Sequence, residues 1–525
     1  MISVPSKTQK QLDIAAWAVS ALVLVLSVKG NSIWMDECLT YIVSNESWKK
    51  VVNSVLFRGD AVSGTPLYFF VAYPWCRVFG FGEYAMRSIN LLMIPPLLIG
   101  AGKLLRSMKL PQWMVVFFAF NPVLLFYMNE ARPYAALFVC GLWCFLFLLR
   151  GMEKGMSKWD TVWFFFCFWI GCALHMMFVF MGVAYLIILI WMKYTGTLRF
   201  REQICVWAWW IPAFLLLGAH FFHLVLCAPE VNSGKPVAFK SILQIIYFFS
   251  GLSGLGWSRN ALRSMDLVVN TRIVAETGLY ILSVMAFAIC CLRRKSVLSV
   301  RILLPTVCIA SCLILFVGSN IVLKTRFWER HVIYLLPGCI LVVAMLFHEL
   351  WSPPRALAAR VVSCCFLALL ILSGINIVLM DYYRKDDYRG AAELARSFKA
   401  DHILYQGDPS TFRYYGLEGP FAETVVQKED APLEGNVVIS HASPEMMRIL
   451  GRRLNGRTVV LLCEKDEFDQ YGYYKRSSGM AGAVRTESFL VFAVDSIADD
   501  WLPKIGGTGA DVSPENTPED GASGH

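Results

Sequence analysis

Ile14-Ala15-Ala16-Trp17-Ala18-Val19-Ser20-Ala21-Leu22-Val23-Leu24-Val25-Leu26-Ser27-Val28 runs directly into Lys29-Gly30-Asn31-Ser32-Ile33-Trp34-Met35-Asp36-Glu37. The first part is nearly pure alanine, valine and leucine and reads as a membrane span. The second turns polar and ends on two adjacent carboxylates. At the exit of a span the dielectric falls steeply, so ionising Asp36 and Glu37 there is costly unless a cation, a substrate hydroxyl or interfacial water compensates. An acidic pair in this place either marks the end of a span or carries chemistry, and the rest of the chain has to decide between the two.

The chain has 525 residues, of which 57% are hydrophobic, 14% aromatic and 17% charged. Soluble domains carry about 25% charged residues, so the deficit, together with the long apolar runs, makes this a polytopic membrane protein. The net charge is +9, and its placement says more than its size. Most of the 16 cysteines fall inside apolar segments (Cys140, Cys144, Cys167, Cys172, Cys290, Cys291, Cys364, Cys365). They read there as small hydrophobes, and no spacing resembles a zinc site or a disulfide framework. The first span follows a short basic head (Lys7, Lys10) and lacks a small-residue cleavage site, so it reads as retained.

A span needs about 20 apolar residues. On that ruler about eleven helices are expected, near 12–29, 85–105, 113–128, 133–150, 160–175, 177–193, 205–225, 272–292, 300–320, 332–350 and 360–380. Cytoplasmic loops collect Lys and Arg. With the N-terminus inside, those loops hold Lys103, Arg106 and Lys109; Arg150, Lys154 and Lys158; Lys193, Arg199 and Arg201; Arg293, Arg294 and Lys295; and Arg355 and Arg360. Every one is short and basic, so count and orientation agree.

Three outer loops stand out in this scheme. Residues 30–84 are too polar and too punctuated by Gly and Pro to span. They hold a helical-period stretch from Ser47 to Phe57 and an apolar piece of about 14 residues from Pro66 to Phe79, read as interfacial or re-entrant. The second loop is only Asn129-Glu130-Ala131-Arg132. The third, Ala228 to Asp266, is expected to carry another interfacial piece around Tyr247-Phe248-Phe249. Residues 1–380 thus form a transmembrane domain. Residues 381–500 alternate strand-like segments (His402–Tyr405, Asn436–Ser440, Thr458–Leu462, Ser488–Val494) with amphipathic helices (Tyr388–Phe398, Pro444–Arg453), as in a small α/β domain placed outside by the odd number of spans. Residues 501–525 are polar, Gly-rich and expected to be disordered. No internal repeat of the kind found in many secondary transporters is visible.

By this topology Asp36 and Glu37 share the outer face with Glu130 and Arg132, where carboxylates supply a general base and a group to orient an acceptor. The bland alternative for Glu130 and Arg132 is an ion pair capping two helix ends. Arg58, Arg87, Lys324, Arg326, Arg330 and His331 also fall at the outer surface, against the positive-inside trend. Such a cluster suits an anionic ligand, phosphate above all, through bidentate Arg contacts; contact with lipid head groups or with Glu329 is the structural alternative. His175, at a turn between two apolar helices, reads as structural. His220 and His223 lack matching carboxylates for a metal. No Walker loop, dinucleotide fingerprint or Gly-x-Ser-x-Gly elbow occurs, so nucleotide-driven pumping has no support. Nothing points to a nucleic-acid partner.

Four landmarks in order resemble the GT-C polytopic glycosyltransferases, in particular the group of protein O-mannosyltransferases and lipid A aminoarabinose transferases. They are the first span with Trp34-Met35-Asp36-Glu37, the interfacial Pro66-Leu67-Tyr68, Gly82-Glu83-Tyr84-Ala85-Met86-Arg87 leading into the second span, and Asn129-Glu130-Ala131-Arg132-Pro133-Tyr134-Ala135. The likeness covers roughly residues 10–150, weakens through 150–320, and returns at Glu329-Arg330-His331 through Pro337 and at Lys385-Asp386-Asp387-Tyr388-Arg389-Gly390.

The resemblance implies transfer of a sugar from a polyprenyl-phosphate carrier to a glycan, lipid or protein acceptor on the extracytoplasmic face, in a bacterial inner membrane. It implies Asp36 as the general base, Glu37 as its neighbour, Glu130 as a second acidic site that helps place the acceptor or the base, Arg87 as a group that stabilises the carrier phosphate or the adjacent acidic site, and Arg132, Arg330 and His331 as groups around the lipid phosphate. One departure matters: the family often carries His-Pro-Pro or a Lys-Pro variant where this chain has Gly64-Thr65-Pro66, and Arg58 is the candidate to supply the missing side chain. In-line attack by the acceptor would invert the anomeric centre, and the Arg cluster takes over the electrostatic work a metal does elsewhere, so neither a metal nor another cofactor is expected. The rival readings are a polysaccharide polymerase or ligase of similar helical build and a lipid or sugar-lipid transporter. Alternating access calls for charges at the midplane of several spans, and these spans are nearly charge-free there.

Overall fold

The computed structural model describes residues 7–57, 64–227, 239–258, 271–292, 299–323, 329–351, 357–380, 383, 387–397, 399, 401–406, 409–420, 436–439, 449–450, 453, 459–464, 484–485 and 489–494. Among them, nine helices are long and apolar enough to cross a membrane: Lys7–Ser27, Glu83–Ser107, Tyr134–Lys154, Met176–Tyr194, Gln203–His223, Thr271–Leu292, Val300–Val322, Arg330–Trp351 and Leu357–Leu379. With no water in the hydrocarbon core to serve backbone N–H and C=O groups, helices satisfy them internally. The outward faces are apolar to match, as at Trp209, Leu215 and Leu216 or at Leu279 and Leu282, all exposed.

The remaining two of the eleven expected spans take other forms. The segment expected at 113–128 is divided into Gln112–Val115, Val116–Ala119 and Pro122–Met128. Pro122 has no N–H to continue the ladder, and the Asn121 side chain instead caps the new helix by accepting from the Val123 and Leu124 N–H groups. Lys158–Leu174 opens with a capping box between Ser157 and Asp160 and has 17 residues, about 26 Å at 1.5 Å per residue against a core of about 30 Å.

Four elements make the first part of the chain: α1 (Lys7–Ser27), α2 (Met35–Asn45), α3 (Trp48–Phe57) and α4 (Pro66–Phe79). Helix α4, 14 residues long, reaches about 21 Å and buries one face through Tyr68, Phe69, Ala72 and Cys76. It is the short apolar piece expected between Pro66 and Phe79. Within the third expected outer loop, Phe239–Phe249 is helical, and residues 228–238 and 259–266 lie outside the described residues.

The Tyr134–Lys154 helix is the axis of the bundle and is buried on nearly every side. Close approach to it is set by two glycines. A Cβ at Gly141 would overlap the Tyr334 carbonyl, and one at Gly338 would overlap the Phe145 ring. Small residues at such crossings let backbones meet. Here they press the Glu329–Leu335 turn against the start of the Tyr134–Lys154 helix, which sets Arg330 and His331 beside the 129–132 loop.

The chain divides into two compact units, Met1–Arg389 and Gly390–His525. The second contains a five-stranded sheet of order β2-β1-β3-β5-β4, with β1 His402–Gln406, β2 Val437–Ile439, β3 Val459–Glu464, β4 Val484–Arg485 and β5 Phe489–Val494. Strand β1 runs parallel to β2 and β3, with Leu404 opposite Val437 and Leu461, whereas β5 runs antiparallel to β3 and β4. Four strands fall on the alternating segments read from sequence, and β4, only two residues long, was not anticipated. The expected helix at Pro444–Arg453 lies largely outside the described residues, as does the expected tail at 501–525.

Candidate active site

The turn from α1 into α2 brings Asp36 and Glu37 into the first helical turn, where the helix dipole favours negative charge. Successive residues on a helix point about 100° apart, so neighbouring carboxylates meet different surroundings. Glu37 faces inward and is fully buried. Arg87 grips it with two parallel bonds, Nε to Oε1 at 2.7 Å and Nη2 to Oε2 at 2.6 Å. The other three N–H groups of Arg87 go to the carbonyls of Lys29 (2.9 Å), Asn31 (2.7 Å) and Ser32 (2.9 Å). All five donors of this guanidinium are thus used on the 29–37 turn.

Glu37 also receives the Ala131 N–H at 2.7 Å, which ties the second loop to α2. Further bonds hold the same loop. Thr40 donates to the Ala131 carbonyl at 2.8 Å, the Lys29 N–H donates to Asn129 Oδ1 at 2.8 Å, and Asn90 donates to the carbonyls of Met128 and Glu130 at 3.1 and 2.6 Å. Both Glu130 and Arg132 are buried as a result.

Asp36 turns the other way and forms an ion pair with Arg330. Both keep a little exposure, 16% and 12% of the side chain. The Arg330 guanidinium lies over the rings of Trp34 (5.7 Å) and Tyr134 (5.8 Å), an aromatic seat that suits its charge. Arg132 lies over Phe69 of α4 at 5.8 Å. Burial opposes the Arg132 charge, but Tyr134, Asp36 and Tyr68 act on it more strongly and hold it above the ordinary arginine range. Burial pushes the Tyr68 phenol up, so it stays protonated.

Sequence reasoning left His175 as structural, and the structure carries it into this group. The Lys158–Leu174 helix ends there in an extended residue, and the Met176 N–H that follows donates to the Gly64 carbonyl at 3.3 Å. Its imidazole meets that of His331 with ring centroids 4.9 Å apart. Burial, with the cations of Arg132 and Arg330, lowers the His175 pKa to about 3, so the ring is neutral at physiological pH. Its Nδ1 accepts the Met177 N–H at 3.2 Å, which leaves the single proton of the neutral ring on Nε2. The signal in the sequence was topological: residue 175 falls in a connection on the same side of the bundle as Glu130 and Arg132.

Of the residues singled out from sequence, Asp36 and Arg330 come together, as do Glu37 and Arg87. Glu130 stands within electrostatic reach of Tyr134, and Arg132 and His331 share the His175 neighbourhood. Arg58, Lys324 and Arg326 lie outside the described residues.

No family model matches this chain, and no curated protein sequence matches it. Solved structures similar to it include the crystal structure of ArnT from Cupriavidus metallidurans bound to undecaprenyl phosphate and that of the same protein in the apo state. Each is 12% identical over 92% of this chain and 98% of its own, with TM-scores of 0.46 and 0.45.

Proposed function

We propose that this chain is an integral-membrane glycosyltransferase of the GT-C type. It moves a sugar from a polyprenyl-phosphate carrier to an acceptor on the extracytoplasmic face, with Asp36 as general base. The observation that carries this reading is the division of labour between two adjacent carboxylates. Glu37 is consumed by Arg87 and the Ala131 N–H, whereas Asp36 keeps partial exposure next to a cation.

The chemistry asks for such a pair. A sugar on a polyprenyl phosphate is attached through a phosphodiester carrying one negative charge. As the acceptor oxygen attacks the anomeric carbon, the bond from that carbon to the phosphate oxygen breaks, and the departing phosphate monoester gains a second charge. Fixed cations that meet this charge as it develops lower the barrier. Arg330 and Arg132 are the groups placed to do so. The acceptor proton passes to the Asp36 carboxylate, and in-line displacement inverts the anomeric centre.

An aspartate held by an arginine is a poor base. The carrier resolves this, because its phosphate competes for the Arg330 guanidinium, and an Asp36 released from that contact becomes more basic. The base is therefore activated when the donor is in place. Glu37 and Arg87 hold the turn that aims Asp36, and Glu130 adds negative potential that keeps Arg330 in position. No metal takes part in this scheme, since the guanidinium groups supply the positive charge.

Radiolabelled polyprenyl-phosphate sugars incubated with membranes test the reading, comparing wild type with Asp36→Asn at equal expression. Loss of transfer with retained carrier binding supports it. Full activity in the variant, or no transfer by wild type with any donor, overturns it.

A further inference from the structure

Around Arg132 and His331 lie buried polar atoms that no protein group satisfies among the described residues. Arg132 is 6% exposed, yet its Nε and Nη1 have no hydrogen-bond partner among the described residues. The same holds for Nδ1 of His331. A buried donor without a partner costs about 1–3 kcal/mol, more when charged, and a site that leaves several together is built for something that completes them. Arg132 and Arg330 both bear on His175, with Asp36 and Glu130 offsetting part of the Arg330 charge, and the unpartnered atoms of Arg132 are N–H donors. The complement is an oxyanion with several acceptor oxygens.

His175 is the element that makes this space more than a pair of arginines. It packs against His331 at 4.9 Å and is fixed from two sides by backbone, Met177 N–H to its Nδ1 and Met176 N–H to the Gly64 carbonyl. With Nδ1 occupied as an acceptor, the ring offers one group, Nε2–H, a neutral donor whose orientation is set by the chain. A third cation here would be opposed by Arg132 and Arg330. A neutral donor adds a hydrogen bond to an oxyanion without that repulsion.

We infer that His175 binds the phosphate of the lipid carrier by donating Nε2–H to one of its oxygens, alongside the Arg132 guanidinium. This rests on the carrier being a polyprenyl phosphate, as proposed above, and adds a binding residue from a connection that the sequence landmarks do not include. The bond gains strength as the phosphate passes from one negative charge to two, so His175 stabilises the leaving group as well as the bound carrier.

The test uses the full chain in detergent micelles and measures binding of a polyprenyl phosphate, the same polyprenol without phosphate, and inorganic phosphate. Wild type is expected to prefer polyprenyl phosphate over the polyprenol. His175→Ala should bind polyprenyl phosphate about tenfold more weakly, as expected for one hydrogen bond to a charged group of about 1.4 kcal/mol or more, with polyprenol binding unchanged. His175→Gln, which keeps an N–H donor, should recover part of the loss. Inorganic phosphate competing as well as the lipid would assign the site to free phosphate and overturn the inference.

A wild type that ignores the phosphate would sink the carrier reading itself, whereas an unchanged preference in His175→Ala would sink only the role of His175. Should the variants fail to fold, nitrogen NMR of the wild-type histidines decides. A shift of the His175 Nε2 resonance on adding polyprenyl phosphate supports the inference, and no shift refutes it.

Discussion

Replacing Arg87 by Lys separates two roles that the sequence alone leaves joined. If Arg87 met the carrier phosphate, Lys would be a tolerable substitute, because an ammonium binds phosphate as a point charge. The structure instead has the five N–H groups of Arg87 on five fixed acceptors, two carboxylate oxygens of Glu37 and the carbonyls of Lys29, Asn31 and Ser32. An ammonium has three donors, so at least two of these acceptors are stranded, in a place where both Arg87 and Glu37 are 0% exposed. At about 1–3 kcal/mol for each unsatisfied buried group, Arg87→Lys should destabilise the fold by roughly 2–6 kcal/mol. Arg87→Met, which leaves the Glu37 charge uncompensated, should cost about 3–5 kcal/mol, and adding Glu37→Gln to it should recover part of that. Thermal unfolding of the purified chain followed by tryptophan fluorescence reads these differences, with polyprenyl phosphate binding measured below the melting transition. If Arg87→Lys melts like wild type but binds the carrier poorly, the structural role assigned to Arg87 is wrong.

Other outcomes follow from the same geometry. Asp36→Asn should lower sugar transfer by about 10²–10⁴-fold, the range of a lost general base, without loss of polyprenyl phosphate binding; near-normal turnover would remove Asp36 from the chemistry. The low pKa of His175, about 3 in the folded chain against about 6.5 unfolded, makes stability pH-dependent in a defined direction. Between those values the unfolded state holds a proton that the folded state does not, so stability falls as pH drops from 6.5 toward 3, with a slope approaching 1.4 kcal/mol per pH unit. His175→Gln should flatten the melting-temperature profile over that window, and an unchanged profile would contradict the neutral assignment. At Gly141 a methyl group would overlap the Tyr334 carbonyl, so Gly141→Ala should destabilise by about 1–3 kcal/mol in spite of its better helix propensity. An equal or higher melting temperature would show that the crossing is looser than described.

Apolar lengths carried the bundle well, because these signals come from the membrane itself and act on every residue of a span. They failed where a local feature overrides length. Pro122 and its capping Asn121 divide a segment whose hydropathy reads as continuous, and Gly141 fixes a crossing that leaves no periodic trace. In the site, the Asp36-Glu37 stretch and the 129–132 loop were legible because they are local in sequence and polar in apolar surroundings. The pairing was not: Arg330 lies 294 positions from Asp36, and only packing around the Tyr134–Lys154 helix brings them together. His175 was read as structural because an isolated histidine at a helix end usually is. What distinguishes it is the pair of arginines and the second imidazole brought by distant segments.

Why does the proposed base have a second carboxylate beside it? Asp36 must be aimed at a reacting oxygen within a few tenths of an ångström, and it stands on a turn whose carbonyls at Lys29, Asn31 and Ser32 have no helix or sheet to serve them. Arg87 serves all three, but a guanidinium in that interior needs a counter-charge, and Glu37 provides it from the residue next to Asp36. The same carboxylate takes the Ala131 N–H, and Thr40 of the same helix donates to the Ala131 carbonyl, so α2 holds the loop bearing Glu130 and Arg132 in place relative to Asp36. Substituting Asp for Glu37 would shorten the reach by one methylene and loosen loop and base together. That change should reduce transfer while leaving Asp36 chemically intact. The pair is therefore one unit, in which the buried member sets the position of the partly exposed member, the base of the proposed transfer.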